Sequence, residues 1–462
     1  MHLIKKRFGP GSFYKEALTI ALPVMMQQLI MSMVSLVDNF MVAGLGDVAM
    51  AGVNVSNHFF FVYTVVISVI CQAGGIYIAQ YRGAGDSEGM KHAFRFKVIF
   101  SLALALAAFV LCRAFASPLI AMMTNQNAAQ AEIVAVGTQY LTLISWTFLP
   151  TAISFSIGTS FREINRPKVP LIISGIATVI TTFGNWVLIY GNLGAPRLEV
   201  AGAAYSTIIA RLFEVSAFLI YAARVKAPFY VRFTRLFNIH RRLVREILFK
   251  SSMIFASELS WVSSETIMVA MYNRRGGAEV VAGMAAGWAI ANIFFLIFGG
   301  IWTASGILVG GSLGAGRLDE ARRRATWLKA GAVVIGLIII IPGALLSALL
   351  IPVVFVSLSA AARANCFGLV LVILVYLPLW GLLNVQFAVS RAGGDTAMGM
   401  HVDLIVNTFL FIPGAVVLSY FTNITPVPMF AILKLTDIIK YYMCRHLLRK
   451  ERWVKNLTEV ES

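Results

Sequence analysis

Residues 14–55 read YKEALTIALPVMMQQLIMSMVSLVDNFMVAGLGDVAMAGVNV, and residues 244–286 read VREILFKSSMIFASELSWVSSETIMVAMYNRRGGAEVVAGMAA. With one inserted residue near Gly276 the two stretches share a register, each an apolar span followed by a turn. The register holds further along, where Gly75, Gly83 and Gly85 fall on Gly306, Gly314 and Gly316. The next spans repeat more faintly: each carries a mid-span proline, Pro150 or Pro378, and then reaches a basic turn, FREINRPKVP or SRAGGDTAMG. Self-similarity of this kind between two apolar halves is the mark that transporter folds leave in their sequences.

Working outward, the 462 residues are 59 % hydrophobic and 13 % charged, against about 45–50 % and about 25 % in an ordinary soluble domain. Runs of about 20 apolar residues can cross a bilayer as helices. Twelve occur, at 17–39, 54–79, 98–117, 134–158, 169–190, 202–223, 248–272, 279–311, 330–353, 366–389, 399–420 and 427–447. The expected fold class is therefore an all-α polytopic membrane protein whose partner is the lipid bilayer. Its twelve transmembrane helices form two six-helix bundles. Six spans per repeat give both halves the same orientation, which predicts an axis along the membrane normal and a central cleft between the bundles. The expected division is an N-terminal bundle over 1–223, a cytoplasmic linker over 224–247, a C-terminal bundle over 248–447 and a cytoplasmic tail over 448–462.

The formal charge of +17 and the isoelectric point near 9.9 would suit a nucleic-acid partner if the basic residues were free to meet one. They are instead gathered into alternate loops: Arg82, Lys91, Arg95 and Lys97, then Arg162, Arg166 and Lys168, then the stretch Arg224–Lys250, then Arg317, Arg322, Arg323, Arg324 and Lys329, then Arg391, then Arg449, Lys450, Arg452 and Lys455. The other loops offer little more than Arg113, Arg197, Arg274, Arg275 and Arg363. The excess of cations on one side predicts a multi-pass plasma (inner) membrane protein with both termini cytoplasmic and leaves no nucleic-acid role to explain. Lys5, Lys6 and Arg7 precede a span that is long, contains Asp38 and lacks a small-residue cleavage site, so we read it as a retained helix. Cys71, Cys112, Cys366 and Cys444 lie far apart, and the six histidines show no ligand spacing, so no metal, disulfide framework or cofactor is expected.

Four stretches resemble the MATE family, the multidrug and toxic compound extrusion transporters: VDNFMVAGLGDVAMAGV, QYRGAGD, NWVLIYGNLGAPRLEVAGAAYST and SRAGGDTAMGM, in that order within the repeat. The tail RKERWVKNL is similar to that of the DinF-like branch. The resemblance implies an antiporter that exports small organic, often cationic, compounds in exchange for H+ or Na+, and we expect it to act as a monomer. The sequence departs from the family in two places. Asn185 stands where some members carry an acidic residue, and no acidic residue lies between Cys366 and Val389, where the NorM-like branch has one.

A carboxylate inside a membrane span is costly and is by default a functional candidate. Asp38 follows an otherwise uncharged helix and matches the family's acidic position, which makes it a candidate for exchanging H+ or Na+; the competing reading is a cap on the exit toward Gly44. Asn185 adds an amide to that site or is a buried structural asparagine. Glu258 and Glu265 are seven residues apart, hence on one helical face, and are expected to look into one cavity. Glu258 aligns with Gln28 in the repeat, so one half carries a titratable group where the other has a neutral amide. Asp403 is expected near the cytoplasmic end, paired with His401 or Arg391. Arg211 with Glu214, and Asp437 with Lys440, are three apart and read as locally neutralised pairs. Met25, Met26, Met31, Met33 and Phe59, Phe60, Phe61 either pack against lipid and protein or line an adaptable cavity for organic cations.

An enzyme would need convergent histidines, a Cys/His pair or clustered carboxylates, and the sequence offers none of these. A flippase for lipid-linked precursors is the nearer rival; it would favour a cationic cavity, whereas the intramembrane candidates read as mainly acidic.

Overall fold

The computed structural model describes residues 7–124 and 129–459. The first half runs through α1 (Gly11–Ala43), α2 (Asp47–Ala84), α3 (Ser87–Ala114), α4 (Ala116–Met123), α5 (Gln130–Ile144), α6 (Phe148–Glu163), α7 (Lys168–Tyr190) and α8 (Glu199–Arg224). The second runs through α9 (Arg241–Asn273), α10 (Ala278–Gly314), α11 (Leu318–Val354), α12 (Ala360–Ala392), α13 (Thr396–Val406), α14 (Ile412–Phe421), α15 (Pro426–Lys434) and α16 (Thr436–Arg449). Each apolar run thus becomes helix, the conformation in which a chain in lipid satisfies its own backbone.

Among the described residues, ten spans are long and apolar enough to cross a membrane by length and composition alone. Two of the twelve expected spans fall short because they carry the charges: α9 holds Glu258 and Glu265, and the last span is divided into α15 and α16 around Lys434, Asp437 and Lys440. Two further spans depart from regular helix where proline requires it. A 3-10 turn at Ser145–Thr147 separates α5 from α6, which places Pro150 in the first turn of a new helix, where its missing N–H costs nothing. A π-helical segment, Asn407–Phe411, joins α13 to α14 just ahead of Pro413.

The basic turns share a mechanism. Gly85, Gly316 and Gly394 adopt left-handed φ of +73°, +71° and +80°, and Asn165, Lys226 and Glu451 take +64°, +47° and +53° at the other three. The residue after two of these glycines then starts the next helix: Asp86 Oδ1 accepts from Gly89 N at 3.0 Å, and Asp395 Oδ1 accepts from Met398 N at 3.3 Å. The Gly-Asp pairs in QYRGAGD and SRAGGD are therefore a helix stop followed by a helix start.

The chain divides into two compact units, one of Met1–Met25, Ala79–Gly85 and Phe249–Ser462, the other of Met26–Ile78 and Asp86–Leu248. The second unit is organised around Ile67, Leu141, Ile144, Phe148 and Ile189, all buried. The first includes a cluster of Ile20, Leu308, Leu313, Val385, Val389 and Trp453. Within that first unit the ends of α2 and α10 cross in backbone contact. A Cβ on Gly83 would lie 2.1 Å from the carbonyl oxygen of Gly311, and a Cβ on Gly314 would lie 1.8 Å from that of Gln80. Gly83 and Gly314 are repeat equivalents, and in the same register so are Gln80 and Gly311, so this crossing is made twice by the same rule.

Candidate functional site

In the unit of Met26–Ile78 and Asp86–Leu248, Asp38 lies in the last two turns of α1 and meets α7. Asn185 Nδ2 donates to Asp38 Oδ1 at 2.8 Å. Asn185 is buried, and its Oδ1 accepts a short hydrogen bond from the Ser206 hydroxyl on α8. Gly184 makes this approach feasible, since a Cβ there would lie 2.7 Å from Ser206 Cβ. Asp38 therefore bonds to a neighbouring helix rather than to the turn at Gly44, and the capping reading falls. No ion pair of Asp38 is present among the described residues. Ser206 escaped the sequence reading because a serine among the small residues of GAAYST carries no distinguishing signal.

The same unit holds a charge pair that loop arithmetic concealed. Lys97 is 0 % exposed in α3, ten residues past the turn to which the positive-inside count assigned it. Its ammonium donates to Ser160 Oγ at 2.9 Å and to both Glu163 oxygens, at 3.1 and 2.9 Å. Gly74 and Gly75 on α2 leave the room: added Cβ atoms would lie 2.5 Å from Lys97 Cγ and 2.1 Å from Glu163 Oε1. Arg211 and Glu214 pair at 2.6 Å, as their spacing predicts.

The other unit carries the remaining candidates, each with a cation. Arg391 is 6 % exposed in the last turn of α12 and meets Glu258 at 3.2 Å, so it is not a loop cation. Lys434 on α15 meets Glu265 at 2.5 Å. The two glutamates stand two turns apart on α9 and meet cations from different helices, Glu258 from α12 and Glu265 from α15. Asp403 is paired with neither His401 nor Arg391; its carboxylate takes Lys440 at 3.1 Å and the Ser257 hydroxyl. Lys440 stands farther from Asp437, at 3.9 Å, and Asp437 accepts from Trp380 Nε1 at 2.8 Å. Asn407, in the π-helical segment, donates to Ser260 at 3.1 Å. Lys97, Arg391, Lys434 and Lys440 thus correct the expectation of a mainly acidic interior. Of the methionines, Met25 packs beside Gly300, while Met26, Met31, Met33 and the ring of Phe61 are exposed.

The family model described as MatE matches this chain twice, over residues 23–187 and 253–417. The chain belongs to the MatE family. The two matches are shifted by the same 230 positions that carry Gln28 onto Glu258, so the repeat seen in the sequence is the repeat of the family. Among curated relatives, this MATE protein is 24 % identical over 330 residues to a probable multidrug resistance protein NorM of Halalkalibacterium halodurans, covering 70 % of each chain. It is 25 % identical over 335 residues to the protein of that name from Neisseria meningitidis serogroup B, again with 70 % of each covered. Its fold is that of a MATE crystallised in a bent conformation, with a TM-score of 0.82 at 16 % identity over 96 % of this chain and 97 % of that one. A MOP-superfamily transporter of Pyrococcus furiosus, described as having a binding pocket of reverse polarity, superposes with a TM-score of 0.80 at 18 % identity over 98 % of each. The fold class is thus the all-α, twelve-span, two-bundle class expected from the sequence. Among the described residues no group of histidine, cysteine, aspartate and glutamate is arranged to hold a metal.

Proposed function

We propose that this MATE protein is a proton-coupled antiporter that exports organic cations and amphiphiles by alternating access, with Asp38 as the proton carrier. It acts as a monomer in the plasma membrane with both termini cytoplasmic, and the likeness of its tail RKERWVKNL to that of the DinF-like branch supports membership there. The observation that carries the reading is the contrast between Asp38, held by one neutral amide, and Glu258, Glu265 and Asp403, each held by a cation. An ion-paired carboxylate already has its counter-charge, whereas a singly hydrogen-bonded one at membrane depth is open to a proton.

The local hydrogen bonds accommodate both states of Asp38. Ser206 has one hydroxyl proton and two acceptors within reach, Asn185 Oδ1 and the Ala203 carbonyl, the latter at 3.0 Å. With Asp38 ionised, Asn185 N–H donates to it and Ser206 donates to the amide oxygen. With Asp38 protonated, its O–H donates to the amide oxygen once the amide turns over; Ser206 then accepts from the amide N–H and donates to Ala203. Neither state leaves a buried polar group unpaired. A headgroup flippase is disfavoured because Lys97, Arg391, Lys434 and Lys440 are all engaged by carboxylates. The names of the NorM relatives support multidrug export. The test is uptake of a fluorescent organic cation into proteoliposomes, driven separately by a proton and a sodium gradient. A proton gradient should drive transport, and Asp38→Asn should abolish it while the protein remains folded. Equal transport by that variant would remove Asp38 from the mechanism.

A further inference from the structure

The tail motif, residues 449–457, takes no part in proton or substrate binding as read above, yet it is built into the fold. After α16 the chain reverses at Glu451, whose φ is +53°, and runs without helix as far as the last described residues. Trp453 and Leu457 are nevertheless 5 % and 4 % exposed. Both settle on the turn after α12. A Cβ on Gly393 would stand 1.6 Å from the Trp453 carbonyl oxygen, and one on Gly394 would stand 2.9 Å from Leu457 Cδ1. On the rim, Arg322 bonds both Glu451 oxygens, at 3.1 and 2.7 Å.

The remaining anchor comes from the other half of the sequence. Gln80, fully buried near the end of α2, donates through Nε2 to the Ala392 carbonyl at 2.7 Å and the Lys455 carbonyl at 3.3 Å. Its Oε1 accepts from Leu457 N at 2.7 Å. The Gln80 backbone is the strand of contact at the α2–α10 crossing, because its carbonyl lies against Gly314. The repeat equivalent of Gln80 is Gly311, which has no side chain to reach a tail. A crossing that is symmetric in its backbone is therefore asymmetric in what it grips.

We propose that residues 451–459 are a conformational latch: docked on Gln80 and the Gly393–Gly394 turn they hold the ends of α2 and α10 crossed, and they must release for this end of the transporter to open. The proposal rests on the alternating-access reading given above, in which the end bearing the basic loops and the tail is cytoplasmic. The tail is suited to release. It has no ladder or helix of its own, so its release would break only the bonds to Gln80, the seats of Trp453 and Leu457 and an exposed ion pair, with no regular element to unfold.

The test joins tail to body at the exposed rim, leaving Gln80, Trp453 and Leu457 intact. In Arg322→Cys/Glu451→Cys the four native cysteines are buried, so a short, reductively cleavable bis-methanethiosulfonate should link the introduced pair. Linked protein in proteoliposomes should transport a fluorescent organic cation about tenfold more slowly or worse than the same protein after reduction. Transport at the reduced rate by fully linked protein would overturn the latch. A second measurement is independent of transport: hydrogen exchange of the Leu457 amide in the full chain. Gln80→Ala should speed that exchange by about tenfold, the effect of losing a buried hydrogen bond, while the α2 interior stays protected. Unchanged exchange would show that Gln80 does not hold the tail and would equally overturn the proposal. A chain that moves no cation in either redox state would count against the antiporter reading, and the exchange measurement would still decide the latch.

Discussion

Lys97 and Glu163 show how a membrane interior tolerates charge. Lys97 is fully buried, and its ammonium has three oxygen partners, two of them from one carboxylate. Removing only one member of such a pair leaves the other desolvated without compensation, which costs about 3–5 kcal/mol, whereas replacing both by apolar groups is often close to neutral. Glu163→Gln should therefore lower the melting temperature in detergent markedly, and Lys97→Met/Glu163→Leu should recover most of the loss. If the single variant melts with the parent protein, the pair contributes nothing to stability. Asp38 behaves differently because its partner is an amide, so Asp38→Asn should leave the melting temperature nearly unchanged while removing proton-driven transport. These opposite signatures separate a structural charge from a working one.

The helices are joined by short turns, and two features of those turns bear directly on stability. At the α2–α10 crossing a side chain on Gly314 would collide with the Gln80 carbonyl, whereas a Cβ on Gly306, on the same helix, meets nothing within 4 Å. Gly314→Ala should cost about 1–3 kcal/mol through overpacking, and Gly306→Ala should be neutral or slightly stabilising, since alanine is the better helix former; thermal denaturation of the two proteins side by side reads the difference. Asp395 caps α13 through Met398 N. Asp395→Ala should cost about 1 kcal/mol, and Asp395→Asn, which keeps an acceptor oxygen, should cost less.

The basic residues fall into two groups. Cations such as Arg166 and Arg232 lie in the connections between helices, while Lys97, Arg391, Lys434 and Lys440 lie inside and meet carboxylates. Subtracting the internal cations still leaves the basic excess in the same alternate loops, and the proposed orientation rests on that excess. A reporter fused to the C-terminus should therefore be active only in the cytoplasm; periplasmic activity of the fusion would reverse the topology and the direction assigned to the latch.

Periodicity, composition and the 230-residue repeat were enough, from the amino-acid string, to determine an all-helical, twice-repeated membrane protein, and they offered Asp38 as a candidate because it is the one acidic residue in the first apolar span. The basic turns were legible only as turns; their left-handed glycines and aspartate caps came from the structure, although both are local properties. Partners were not legible. Glu258 and Glu265 stood out in the sequence as two carboxylates in one apolar span, yet only the packed helices bring Arg391 to Glu258 from 133 residues away and Lys434 to Glu265 from 169. Lys97 was assigned to a loop because hydropathy averages over a window, and one lysine at the edge of a long apolar run barely changes that average. The tail was recognisable as a motif, but its docking on Gln80 and Gly393 depends on a close backbone approach that no spacing encodes. Local geometry follows from adjacent residues, whereas the matching of a buried charge or a bare glycine to its distant neighbour is fixed only when helices pack.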